Sequence, residues 1–139
     1  DTLQIVDLRL DPPRVVDGVF VGMVPEGIAM SPDGRFVAVA IQNGAHLSPA
    51  SPFHHASGVL KVYALAGTRL TYVTETPIGR WAQGIAWNRR GGMLLVQSAQ
   101  DRRIEVFGFD GRKLKQLPSI AVNGAPTGIR IAQQPVSPR

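Results

Sequence analysis

The chain alternates short apolar runs with turns rich in Gly and Pro. Residues 36–41, Phe-Val-Ala-Val-Ala-Ile, and 93–97, Met-Leu-Leu-Val-Gln, are too short for ordinary helices, and the β-branched residues of the first favour extended strands. Neither run alternates apolar with polar residues. That continuity is expected of a strand covered on both faces, whereas a strand with one wet face would alternate. Ser31-Pro32-Asp33-Gly34 precedes the first run, with Pro at the second and Gly at the fourth position of a type I turn. Ala66-Gly67-Thr68 and Asp110-Gly111 close two further apolar stretches, 59–65 and 104–109, and strands of more polar character follow at 70–74 and 115–122.

These runs repeat. Pro25-Glu26-Gly27-Ile28-Ala29-Met30 returns as Ala82-Gln83-Gly84-Ile85-Ala86-Trp87 and as Pro126-Thr127-Gly128-Ile129-Arg130-Ile131. Gly84 and Gly128 are 44 positions apart, as are Val62-Tyr63 and Val106-Phe107, whereas Gly27 and Gly84 are 57 apart. The repeat is therefore about 44 residues, with 13 more inserted at 45–57. A period in the forties made of short strands is the signature of a β-propeller blade. The fold class predicted is all-β, a partial β-propeller of four-stranded antiparallel blades, each with strands A to D from the inside outward.

The register divides the chain into an incomplete blade with only the outer strands C and D (1–24), a complete blade with a long inserted loop at 45–57 (25–79), a second complete blade (80–124), the innermost strand of a following or closing blade (125–134) and a tail (135–139). That makes eleven strands, too few for the four or so blades that a ring requires. The expectation is a segment of a longer propeller whose terminal sheets expose Leu3, Ile5, Ile129 and Ile131 among others, with the remainder of the propeller, or copies associating through the terminal blades, covering the open ends.

Composition narrows the chemistry. With 44% hydrophobic and 18% charged residues the chain is that of an ordered β protein. No apolar run approaches the roughly 20 residues of a spanning helix, so membrane insertion is not expected. The absence of cysteine excludes disulfides, thiolate metal sites and a cysteine nucleophile. A formal charge of +5 favours anionic partners, but the 15 Lys and Arg are scattered and no recognition helix or stacking platform accompanies them, so nucleic acid is not expected. No Gly-x-Ser-x-Gly elbow, phosphate-cradling loop or His-Glu-x-x-His helix occurs, and no cofactor is implied.

Meander connectivity sends the B–C and D–A loops to one end of every blade. That end gathers the ligand-binding candidates Glu26, Arg80, Trp81, Gln83, Asp101, Arg102 and Thr127, along with Gln100. Arg130, on an innermost strand where Ala29 and Ala86 stand in the other repeats, is placed at the central channel. Trp87 is expected in the core between blades. Trp81 is expected to pack under the loop surface, with an exposed binding platform as the alternative. All three histidines, His46, His54 and His55, fall in the inserted loop and with Glu26 form a metal or acid/base candidate. Adjacent residues of an extended loop point in opposite directions, so His54 and His55 do not readily share an ion, and no metal site is assigned. The expectation for 45–57 is a mobile polar loop.

The phrases 25–40 and 58–63 resemble the YVTN-type β-propellers, grouped with lactonase-like and surface-layer propellers. The resemblance spans nearly the whole chain, although Asn88-Arg89-Arg90-Gly91 replaces the Ser-Pro-Asp-Gly turn in the second blade. It rests on turn and core residues, so it carries no catalytic residue with it. What it implies is a periplasmic or extracellular protein. The leading expectation is a non-catalytic scaffold that binds a protein or small molecule on its loop face. The alternative is a lactonase-like hydrolase whose remaining active-site residues lie on other blades.

Overall fold

The computed structural model describes residues 1–131, and these form three antiparallel sheets with no helix among them. Strands β1 (Thr2–Asp7) and β2 (Arg14–Phe20) pair as a two-stranded sheet. Strands β3 (Pro25–Met30), β4 (Phe36–Ile41), β5 (Gly58–Ala66) and β6 (Arg69–Ile78) form a four-stranded meander. So do β7 (Ala82–Trp87), β8 (Met93–Ser98), β9 (Arg103–Phe109) and β10 (Leu114–Ala121). This is a partial β-propeller, with the repeated Gly-Ile phrase innermost in each complete blade.

Strand β4 shows why its sequence does not alternate. Val37, Val39 and Ile41 pack on one side with Leu3, Val21, Tyr63 and Leu70, joining the first sheet to the second. Ala38 and Ala40 face the other way, into a core with Leu60, Val62, Trp87, Leu94 and Phe107 that joins the second sheet to the third. Small residues on β4 thus oppose the large ones of the next blade. Trp87, 2% exposed, sits in that second core as expected, its indole Nε1 donating to the carbonyl of Ala29 at 3.0 Å. Phe109 closes on it edge to face, with ring centroids 5.5 Å apart.

The two unlike A–B turns are the same device. Gly34 N–H donates to the Ser31 carbonyl and Gly91 N–H to that of Asn88, at 2.9 and 3.0 Å, and both glycines have positive φ, 72° and 71°. The Ser31 hydroxyl accepts from Phe36 N–H at 2.9 Å as the Asn88 side-chain oxygen accepts from Met93 N–H at 3.1 Å. Only the first turn holds an acid. Hydrogen bonds from the Ser31 hydroxyl and then from Arg35 hold Asp33 at about 2, below its ordinary 3.8. A depressed carboxyl contributes stability that is present above its unfolded value and lost as pH falls through the folded one. Acidification from pH 4 to about 2 is therefore expected to shift the amide resonances of Arg35 and Phe36 and leave Met93 unmoved, as read by two-dimensional NMR; equal shifts at both turns would refute this.

Three expectations change. Strand D of the first complete blade extends well past 70–74, because an outer edge strand tolerates the polar stretch Thr74-Glu75-Thr76 and places Pro77 where the ladder ends. Leu3, expected on an open terminal face, is buried at 8% exposure, since β1 turns Leu3 and Ile5 inward and leaves Val6, Val16 and Phe20 outward. The eleventh strand is missing from the described residues: 127–131 lies beside β7 but has no ladder partner, because nothing here occupies the strand B position beside it. Residues 132–139, covering the end of the 125–134 element and the 135–139 tail, lie outside the described residues.

Innermost strands are locked in pairs. A Cβ at Gly27 would run into the Gln83 carbonyl and lie 3.0 Å from Ile85 Cγ2. One at Gly84 would strike the Gln97 amide and lie 3.1 Å from Ile129 Cγ2. Each isoleucine thus beds on the glycine of the preceding repeat.

Candidate functional site

That stacking brings the three copies of the phrase side by side and opens a cavity of about 570 Å³ over them. Glu26, Gln83 and Thr127, equivalent positions in the repeat, all line it, and so does Arg130. The periodic strand A fixes their common level: one residue before each locking glycine faces the same funnel. Gln42, 3% exposed at the end of β4, donates from Nε2 to Glu26 Oε1 at 3.1 Å and holds that carboxylate in place. Arg130 Nη1 donates to the Ile129 carbonyl at 2.8 Å, leaving further guanidinium donors for a ligand. Gln97, buried behind Gly84, donates from Nε2 to the Gly128 carbonyl at 3.0 Å and ties 127–131 to the blade.

Beside the funnel is a second cleft of about 300 Å³, lined by Trp81, Gln83, Ala99, Gln100, Ala125 and Thr127. Trp81 is 41% exposed. The expectation that it packs under the surface is corrected here: it lines an open cleft beside the small side chains of Ala99 and Ala125. Its φ of 55° is held by a backbone bond, Ala99 N–H to the Trp81 carbonyl at 3.1 Å.

Arg80, Asp101 and Arg102 lie outside both cavities. Asp101 receives Arg80 Nε at 2.9 Å and the Arg80 backbone N–H at 2.8 Å, so this pair braces the loop that carries Trp81. Burial pushes the Asp101 carboxyl up, but the bonds from Arg80 and the charge of Arg103 outweigh it and hold it low. Arg102, exposed and at φ 49°, forms the B–C turn, its N–H donating to the Ala99 carbonyl at 3.3 Å.

Glu105, which the sequence reading passed over, anchors the same loop from beneath. It is 1% exposed, and its Oε1 accepts Gly79 N–H and the Ser98 hydroxyl, each at 2.5 Å. Its signal in the sequence is a lone acid within the apolar run 104–109. The histidines do not converge. His54 Nδ1 sits 3.1 Å from the Leu47 carbonyl, His55 is exposed, and His46 is half-buried. Among the described residues no three His, Asp or Glu side chains are grouped to hold a metal ion. The loop they occupy is a chain of turns, with Leu47, Ser51 and His54 N–H groups donating three residues back.

No family model and no curated protein matches the sequence. Solved structures do match the fold. A proposed 6-phosphogluconolactonase of Bacteroides fragilis aligns at TM-score 0.68 and 18% identity, over 84% of this chain and 32% of that one. The periplasmic gluconolactonase of Pseudomonas aeruginosa aligns at TM-score 0.64 and 22% identity, over 85% of this chain and 32% of its own. Hydrazine synthase of Kuenenia stuttgartiensis aligns at 0.55 and 14% identity, over 83% and 42%. This chain thus spans about a third of the length of the two lactonase-named structures. At these identities the likeness establishes a β-propeller fold and leaves activity to the site.

Proposed function

We propose that the described blades form one sector of a lactone-hydrolysing β-propeller whose other blades complete the funnel. The observation that carries this is the convergence of a carboxylate, an amide, a hydroxyl and a guanidinium, Glu26, Gln83, Thr127 and Arg130, on one cavity. In the reaction a water adds to the ring carbonyl, the ring C–O bond breaks, and the ring oxygen leaves as a hydroxyl. Glu26, steadied by Gln42, takes the proton from the attacking water and returns it to the departing oxygen. Arg130 offsets the negative charge that develops on the carbonyl oxygen and then pairs with the product carboxylate. The surplus of positive charge draws the acid product and any phosphorylated substrate toward the molecule. A periplasmic setting belongs to the same reading and is supported by the name of the Pseudomonas aeruginosa protein alone.

The second reading is the non-catalytic scaffold, favoured by the fact that only one of the three equivalent funnel positions is acidic. One measurement separates the two. Hydrolysis of D-glucono-1,5-lactone, followed by proton release from the protein at its natural length, is expected to exceed the spontaneous rate. Glu26→Gln is expected to lower kcat by roughly 10²–10⁴-fold, the usual worth of a positioned general base. A rate no faster than buffer, or an unimpaired Glu26→Gln, would leave the scaffold reading in place.

A further inference from the structure

We infer that Asn123-Gly124 is a site of spontaneous covalent modification, at which Asn123 converts through a succinimide to aspartate or isoaspartate while the same dipeptide at Asn43-Gly44 stays intact. The chemistry needs only water. The Gly124 backbone nitrogen, having lost its proton to solvent, attacks the carbon of the Asn123 side-chain amide; the bond from that carbon to the amide nitrogen breaks, and ammonia leaves. Water then opens the ring, giving aspartate by attack at one carbonyl and isoaspartate by attack at the other. Ring closure requires the asparagine to turn about its Cα–C bond until the next nitrogen meets its side chain. A glycine there helps, because it puts no Cβ in the way and its own dihedrals are free. A rigid fold denies the rotation, and an unanchored loop grants it.

The chain has three asparagines, and the fold pins two of them. Asn43 stands at φ 52°, with its N–H donating to the Met23 carbonyl at 2.9 Å. Gly44 after it is buried at φ 80°, and its carbonyl accepts Leu47 N–H at 3.0 Å. A Cβ on Gly44 would run into the Phe53 carbonyl and the Met23 side chain, so neither residue of this pair has room to turn. Asn88 precedes an arginine, and its side-chain oxygen is engaged by Met93 N–H.

Asn123 has none of these restraints. Both it and Gly124 are exposed, and a Cβ at Gly124 would meet nothing within 4 Å. The last anchor before the pair is Val122 N–H on the Arg102 carbonyl at 2.9 Å, and the next is Gln97 Nε2 on the Gly128 carbonyl at 3.0 Å. Among the described residues no hydrogen bond holds 123–127 between them. Asn123-Gly124 aligns with Gly79-Arg80 of the preceding repeat, where the Arg80 side chain and N–H both bind Asp101. Gly124 brings no side chain for such a clamp. The product falls beside the funnel, since Ala125 lines the Trp81 cleft and Thr127 lines both cavities. Each converted copy gains a negative charge there, and isoaspartate adds a backbone carbon to the segment that leads to Thr127 and Arg130, whatever the funnel binds.

Peptide mapping of the protein at its natural length, held warm at mildly alkaline pH, reads the three sites separately. Trypsin leaves Asn123 within 116–130, Asn43 within 36–61 and Asn88 within 81–89. The mass gain of amide-to-acid conversion is expected to accumulate in 116–130 at least about tenfold faster than in 36–61, as two chromatographic peaks for the two acids. A more acidic band should grow on isoelectric focusing in step with it. In urea the two Asn-Gly pairs should convert at like rates, because the fold then protects neither. Gly124→Ala places a methyl group in open space and leaves the fold intact, yet it is expected to slow conversion about tenfold by narrowing the rotations open to the attacking nitrogen. Asn43 converting as fast as Asn123 in the folded protein, or Asn123 persisting there while it converts in urea, would overturn the inference. So would a Gly124→Ala variant that converts at the parental rate.

Discussion

Gly27→Ala is expected to cost about 3 kcal/mol, the upper end of what overpacking a filled core costs, and to lower Tm by roughly 10 °C. The reason is where the added methyl group goes. It would meet the backbone carbonyl of Gln83 on the neighbouring innermost strand, and a backbone atom cannot swing aside as a flexible side chain does. To make room, β7 would have to move away from β3, and the core between their blades would open with it. That core holds Trp87, Leu94 and Phe107 against Ala38 and Ala40, so the penalty extends beyond one contact. Gly124→Ala is the control, because a Cβ there would meet nothing within 4 Å. It should stay within about 0.5 kcal/mol of the parent. Thermal denaturation followed by circular dichroism measures both, and equal melting temperatures for the two variants would show that the inner strands have slack the structure does not display.

The same glycine explains how much of the molecule was legible beforehand. The Gly-Ile phrase recurs because Ile85 and Ile129 each bed on the bare Cα of the preceding repeat, and its first two copies mark the inner strands β3 and β7. Strand B was readable for a related reason: burial on two faces leaves no polar position to blur it, and β4 occupies 36–41 as expected. What the sequence conceals is which face a short strand offers to which neighbour. Leu3 and Ile5 form one face of β1, and nothing local says whether that face turns toward the next blade or away from it. The depth of Trp81 was hidden for a different reason. It depends on which distant residues line the same cleft, and these include the small Ala99 and Ala125. Glu105 stands out in the sequence as a lone acid in an apolar run, but its role is not legible there, because its partners, Gly79 N–H and the Ser98 hydroxyl, come from two other segments of the chain.

Two halves of the lock stand open, and they set the last expectation. Ile28 is 58% exposed, with no glycine of an earlier repeat beneath it among the described residues, and a Cβ at Gly128 would meet nothing within 4 Å. The filled pairs, Ile85 on Gly27 and Ile129 on Gly84, show what each half accepts. Val6, Val16 and Phe20 add exposed apolar surface on the outer face of the first sheet. Apolar patches flanked by unpaired strand edges invite association, and Ile28 of one copy set on Gly128 of another would repeat the existing lock head to tail. The isolated 139-residue chain is accordingly expected to sediment above its 15.0 kDa monomer mass, with a weight average that rises with concentration. Ile28→Asp, on a side chain that the fold of one copy leaves exposed, should lower that average without lowering Tm by more than a few degrees. Sedimentation as a 15.0 kDa monomer at every concentration, with or without the substitution, would mean that water covers the open lock as well as another blade does.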